Sequence, residues 1–169
     1  MILLGPDRTG LVESVARAVA GHGGNWLESR MCRLGGEFAG ILRIEIPADR
    51  KAALLAALQK IPGLNVVVQS DSKPAPPAPG RQTKLEIVGH DRPGIVREIT
   101  GVLAGAGVNV EDFSSEIVSA PMSGENLFKA AAKLQLPVNC NLAVLKRDLE
   151  TIAADLLVDV SFEEIPGNV

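Results

Sequence analysis

The pattern Gly-x-Asp-Arg-x-Gly occurs twice in the chain, at Gly5–Gly10 and at Gly89–Gly94. In both places a short apolar run precedes it and an amphipathic run follows, so it reads as the turn between a strand and a helix. A helix start presents unpaired backbone N–H groups and the positive end of the helix dipole, which suit a carboxylate. Gly10 and Gly94 carry no Cβ and leave the backbone open to close approach. Asp7 and Asp91 add acceptors for an ammonium group. Asn25 and Asn109, at matching positions downstream, offer donors and an acceptor. Donors for a carboxylate beside acceptors for an ammonium describe a site for a zwitterionic amino acid. The candidate ligand-binding residues are therefore Asp7, Gly10, Asn25, Asp91, Gly94 and Asn109.

Each of these residues also has a structural role open to it. An Asp just before a helix can serve as its cap. Asn tolerates tight turns, and glycines punctuate them. Arg8 and Arg92 read as solvated, or as paired with a nearby acid. Nothing around the pattern assembles a catalytic or metal-binding set: there is no nucleophile elbow, no Walker loop and no Cys/His cluster. His22 and His90 have no histidine at the matching positions, which hold Ala106 and Pro6. Cys32 reads as buried on a strand, and Cys140 lies near a helix start without a base. Trp26, matched by Val110, reads as packing or interface. No enzyme activity, cofactor or metal is expected from this inventory. An acylphosphatase-like enzyme is the catalytic alternative. It would use Arg92 and Asn109 on a phosphate that Asp91 would repel.

The pattern belongs to a longer repeat. At an offset of 84 positions, Gly5, Asp7, Arg8, Gly10, Val12, Ala20, Gly21, Gly23 and Asn25 recur as Gly89, Asp91, Arg92, Gly94, Val96, Ala104, Gly105, Gly107 and Asn109. Such a run is the signature of a duplication. The elements that position the loops repeat with it. Apolar strands are expected at Met1–Leu4 and Leu85–Val88. The following helices carry stripes at Leu11, Val15, Val19 and at Ile95, Ile99, Val102, Leu103, with Pro93 at the first helical position. Second strands start at Asn25 and Asn109. Third strands alternate Phe38, Gly40, Leu42, Ile44, Ile46 and Phe128, Ala130, Ala132, Leu134, Leu136 on one face. Second helices follow at 50–61 and 142–156, then closing strands at 64–69 and 158–163. One-sided alternation places both helices of each copy on one face of an antiparallel sheet. The fold class is α+β: two ferredoxin-like βαββαβ units, each a four-stranded antiparallel sheet with two helices on one face. Domains are expected at 1–70 and 85–169. A linker spans 71–84, in a stretch that holds Pro74, Pro76, Pro77 and Pro79.

Bulk properties narrow the function. The chain has 169 residues, 46% of them hydrophobic and 22% charged, so it can build a core. The net charge is -3, aromatics are 3% and Tyr is absent, which argues against direct nucleic-acid binding. No apolar run reaches the roughly 20 residues that span a bilayer. The start, MILLGPDRTG, lacks the basic flank and apolar stretch of a signal peptide. A cytoplasmic protein without membrane contact is expected. Residues 85–169 hold six basic and thirteen acidic side chains, a balance that suits either solvent or a basic partner protein.

Strand, Gly-His-Asp-Arg-Pro-Gly-Ile-Val, helix, then Gly-Val-Asn-Val resembles the ACT domain, a small regulatory module that binds amino acids. The first copy is similar but has Thr9 in place of the proline. Its first strand, Met1–Leu4, is shorter than the family leads one to expect. A freestanding pair of such modules resembles the glycine cleavage system transcriptional repressor family. The segment Ser119–Glu125, absent from the first copy, is similar to a longer loop of those proteins. The resemblance implies a non-enzymatic, homodimeric regulator that takes glycine or serine where two modules meet. It further implies contact with a regulatory protein such as a transcriptional activator, and not with DNA. Carried over by position, the effector site would comprise Asp7, Gly10 and Asn25, and Asp91, Gly94 and Asn109. A ligand-free interaction or assembly module is the other reading of the same fold.

Overall fold

The computed structural model describes residues 1–69, 80–120 and 124–164. The chain divides into two compact units, Met1–Pro74 and Ala75–Val169. The linker prolines and the centre of the segment 119–125 lie outside the described residues.

The first unit runs β1 (Ile2–Pro6), α1 (Leu11–Gly21), β2 (Asn25–Leu34), β3 (Glu37–Glu45), a 3-10 turn (Ala48–Arg50), α2 (Lys51–Gln59) and β4 (Asn65–Val67). Its antiparallel sheet has the order β2-β3-β1-β4. The second unit runs β5 (Gly80–His90), α3 (Ile95–Gly105), β6 (Asn109–Ser119), β7 (Asn126–Pro137), α4 (Leu142–Leu156) and β8 (Val158–Glu164). Its sheet has the equivalent order β6-β7-β5-β8. The two ferredoxin-like units expected from the repeat are therefore both present.

Patterning accounts for each layer. Leu11, Val15 and Val19 of α1 are buried against Leu3, Phe38 and Leu42. Ile95, Ile99 and Leu103 of α3 are buried against Leu85, Ile87 and Leu134. Along β7 every second residue from Phe128 to Leu136 is buried, as the alternation requires. The same bulge interrupts both edge strands, between Trp26 and Glu28 in β2 and between Val110 and Asp112 in β6.

Several boundaries differ from the sequence reading. β5 begins at Gly80, not Leu85, because Gly80–Lys84 pair along β7 as far as Pro137. Polar Arg81, Gln82 and Lys84 conceal that strand from a hydrophobicity pattern. Pro93 is not the first helical residue: α3 starts at Ile95, after Gly94 at φ 100 and ψ -12. Gly10 precedes α1 at φ 83 and ψ 6. Those angles belong to the third position of a type II turn, with Thr9 or Pro93 at the second. In the first unit the turn is closed by Leu11 N–H donating to the Arg8 carbonyl at 3.3 Å. Cys32 is exposed rather than buried, because it lies opposite Ala39 on the face of the sheet away from the core.

Candidate functional site

The repeated loop is built by three of its own residues. Gly5 and Gly89 are the points where the first strand passes the corner leading into the last strand. A Cβ on Gly5 would strike the Gly63 carbonyl, and one on Gly89 would lie 2.6 Å from the Leu157 carbonyl oxygen. Arg8 Nη2 donates to the Pro62 carbonyl at 3.2 Å, and Arg92 Nη2 donates to the Asp155 carbonyl. Arg92 thus holds its loop to the last turn of α4, where carbonyl oxygens carry partial negative charge, and Arg8 holds its loop to the turn between α2 and β4. Both contacts are exposed to solvent, and among the described residues neither arginine is paired with an acid. Gly10 and Gly94 supply the left-handed turn, and nothing stands within 4 Å of where a Cβ would be. Neither Asp caps a helix: the cap positions are Gly10 and Gly94, and no side chain bonds there.

The aspartates are where the copies part. Asp7 is ion-paired with Arg33 of β2, whose Nε lies 2.6 Å from its Oδ2. Arg33 stands opposite Phe38, and the residue opposite the matching Phe128 is Ile117. The second unit therefore has no arginine at that position. Among the described residues, the Asp91 carboxylate has no side-chain partner. Asp91 and Gly94 flank an open groove of about 510 Å³, whose other wall is Ser115, Glu116 and Ile117 of β6 and whose floor includes Phe128. Sequence reasoning missed these β6 residues. Only the register brings them beside the loop, and their spacing carries no motif.

The asparagines lie elsewhere. Asn25 and Asn109 open β2 and β6 and stand opposite Glu45 and Gln135. The loops leave the other end of each sheet, beside Glu37 and Leu127. Eight residues of strand separate the two ends, roughly 26 Å at about 3.3 Å per residue. Within one unit the structure brings Asp91 to Gly94, and Asp7 to Gly10, but neither pair to its asparagine. The acylphosphatase-like alternative loses its basis on the same ground, since Arg92 and Asn109 are apart and Arg92 already serves a backbone carbonyl. Among the described residues no group of His, Cys, Asp and Glu is arranged to hold a metal ion. No described helix is long and apolar enough to cross a membrane.

The chain is similar to known proteins in sequence and in fold. The ACT-domain family matches residues 2–67 and again residues 83–125, together more than half of the chain. The glycine cleavage system transcriptional repressors of Escherichia coli (strain K12) and Shigella flexneri are each 24% identical over 162 residues, covering 90% of this chain and 82% of theirs. A crystal structure of an unknown protein from Galdieria sulphuraria superposes with a TM-score of 0.83 at 28% identity, over 97% of this chain and 95% of that one. A candidate glycine cleavage system transcriptional repressor shares the fold with a TM-score of 0.63 at 20% identity, over 98% and 95% of the two chains. With its loop, sheet order and both matched segments repeated, the chain belongs to the ACT-domain family as a tandem pair of such domains.

Proposed function

We propose that this protein, a tandem pair of ACT domains, is a non-enzymatic, amino-acid-responsive regulator that controls a transcription regulator by protein contact. The observation that carries the reading is the second loop. There an Asp91 carboxylate with no side-chain partner among the described residues, the open backbone at Gly94 and the groove against Ser115 and Glu116 offer a zwitterion its acceptors and room. Asn109 lies at the far end of its own sheet, so it joins such a site only from another module. This supports an effector site completed between modules, with glycine or serine as the ligand. The kinship with glycine cleavage system repressors supports the regulatory role and the choice of glycine. At a ceiling of about 1.5 kcal/mol per heavy atom, a ligand as small as glycine binds no tighter than roughly micromolar.

Calorimetric titration with glycine, serine and a panel of other amino acids tests the reading. Saturable binding is expected, lost in the Asp91→Asn/Asn109→Ala double variant with the fold intact by circular dichroism. Flat traces at millimolar ligand would instead leave an interaction module that takes no small ligand. One observation favours that second reading: Ile2, Leu4, Ile41 and Val67 are exposed together on the outer face of the first sheet, away from its helices.

A further inference from the structure

The duplication gives each corner of the core an internal control. In the second unit the corner between α4 and the sheet is sealed. Leu134 and Leu136 of β7 are 0% and 1% exposed. Phe162 of β8 packs against the same core, and the Lys146 ammonium of α4 lies over its ring, 5.6 Å from the centroid. The first unit has neither group. Val68 follows Val67 as Phe162 follows Ser161, and register with Ile2 and Glu86 matches the two pairs. Leu55 follows the first buried leucine of α2 as Lys146 follows that of α4. The smaller Val68 leaves a pocket of about 310 Å³, walled by Ile44 and Ile46 of β3, by Leu54, Leu55 and Leu58 of α2, and by Val68 itself. Ile44 stands opposite Trp26 as Leu134 stands opposite Val110, yet Ile44 and Ile46 are only half-buried.

We propose that this pocket is a binding site for a small uncharged aromatic molecule. Its volume lies in the range of small-molecule sites. It is about twice the roughly 150 Å³ of an apolar cavity that takes up benzene. The ligand chemistry is read from the other copy, where the group that the fold accepts in this corner is an aromatic ring packed on the core. Charge around the pocket selects no ion. Glu45 and Lys51 both line it with opposite signs, and the Met1 ammonium at one end already donates to the Leu42 carbonyl at 2.7 Å. None of the lining residues belongs to a Gly-x-Asp-Arg-x-Gly loop, so the site does not rest on the amino-acid reading above. Leu54 and Leu58 share one core with Leu11 and Val15 of α1, so a ligand held against them stabilises the unit that carries the first loop.

Methyl NMR of the full-length protein, titrated with indole and with p-cresol, tests this. Saturable ring-current shifts are expected at the methyl groups of Ile44, Leu55, Leu58 and Val68, with dissociation constants of about millimolar or tighter. The melting temperature should rise with probe concentration. Val68→Phe puts the second unit's ring into the pocket and should weaken binding roughly tenfold or more, with the fold intact by circular dichroism. Leu55→Phe fills the pocket from the helix side and should do the same where Val68→Phe perturbs the end of the sheet. Flat titrations at about 10 mM probe, shifts that gather at Ile2 and Ile41 on the outer face of the first sheet instead, or binding that persists in both filled variants would each overturn the proposal.

Discussion

Arg33→Ile gives the first loop the residue that the second loop already has. In the first unit a ligand ammonium reaching Asp7 must displace the Arg33 guanidinium from its place 2.6 Å away. The pair is exposed, so its worth is limited to about 1 kcal/mol, and a competing ligand forfeits up to about fivefold in affinity. Asp91 carries no such competitor among the described residues. The two loops should therefore bind unequally, the second more tightly. The first can be read alone in an Asp91→Asn background and the second alone in an Asp7→Asn background, by calorimetry with glycine or serine. Adding Arg33→Ile should strengthen the first up to about fivefold and leave the second unchanged. The substitution lies on an exposed edge strand and introduces a β-branched residue, so the sheet tolerates it. Raising the salt concentration should narrow the gap between the loops, because exposed ion pairs are screened. Equal affinities in the two backgrounds, with no response to Arg33→Ile, would refute the idea that the Asp7 ion pair controls the first loop.

Other consequences follow from the backbone. Gly89→Ala should cost more than 1 kcal/mol in urea unfolding, since its Cβ would lie 2.6 Å from the Leu157 carbonyl and against Val158. Gly94→Ala meets no neighbour, and only its φ of 100 resists a side chain; a smaller loss of about 1 kcal/mol is expected by the same measurement. Leu157 is a non-glycine residue at φ 54 and is 67% exposed, whereas the equivalent corner of the first unit holds Gly63 at φ 73. Leu157→Gly should therefore stabilise the second unit by up to about 1 kcal/mol, seen as a higher melting temperature. Asn141→Ala should destabilise α4 by about 1 kcal/mol in the same assay, because its side chain accepts from the Ala143 and Val144 N–H groups at 3.1 and 3.3 Å.

Most of the fold was legible because the duplication doubled every signal. The helix stripes through Val15 and Ile99, the alternation from Phe128 to Leu136 and the span of α4 all appear as the periodicity predicts. What periodicity missed has a local cause. Gly80–Lys84 form strand through backbone pairing despite polar side chains. Cys32 lies on a strand but on the face that no helix covers. The candidate site was legible only as a list. The loop sequence announced a turn, yet its spacing to Asn109 held no information about distance, because α3 returns the chain to the other end of the sheet. Ser115, Glu116 and Ile117 reach the groove through strand register, which a local motif does not encode.

The repeat also separates what the loop needs for folding from what it offers a ligand. Gly5 and Gly89 meet the same carbonyl corner, Arg8 and Arg92 each bond a backbone carbonyl between the second helix's last turn and the last strand, and Gly10 and Gly94 adopt the same left-handed turn. Their recurrence is explained by the backbone, without a ligand. The aspartates recur too, but among the described residues no shared backbone contact of their carboxylates explains it: one is held by Arg33 and the other has no side-chain partner there. The surrounding positions then diverge in step, Arg33 against Ile117 beside the loop and Ile2, Cys32 and Val67 against Glu86, Glu116 and Ser161 on the outer face. Two modules with one fold have thus taken different surfaces. The aspartate without a side-chain partner among the described residues lies in the second, and the exposed Ile2, Ile41 and Val67 lie in the first, so substitutions in the two modules can be tested separately.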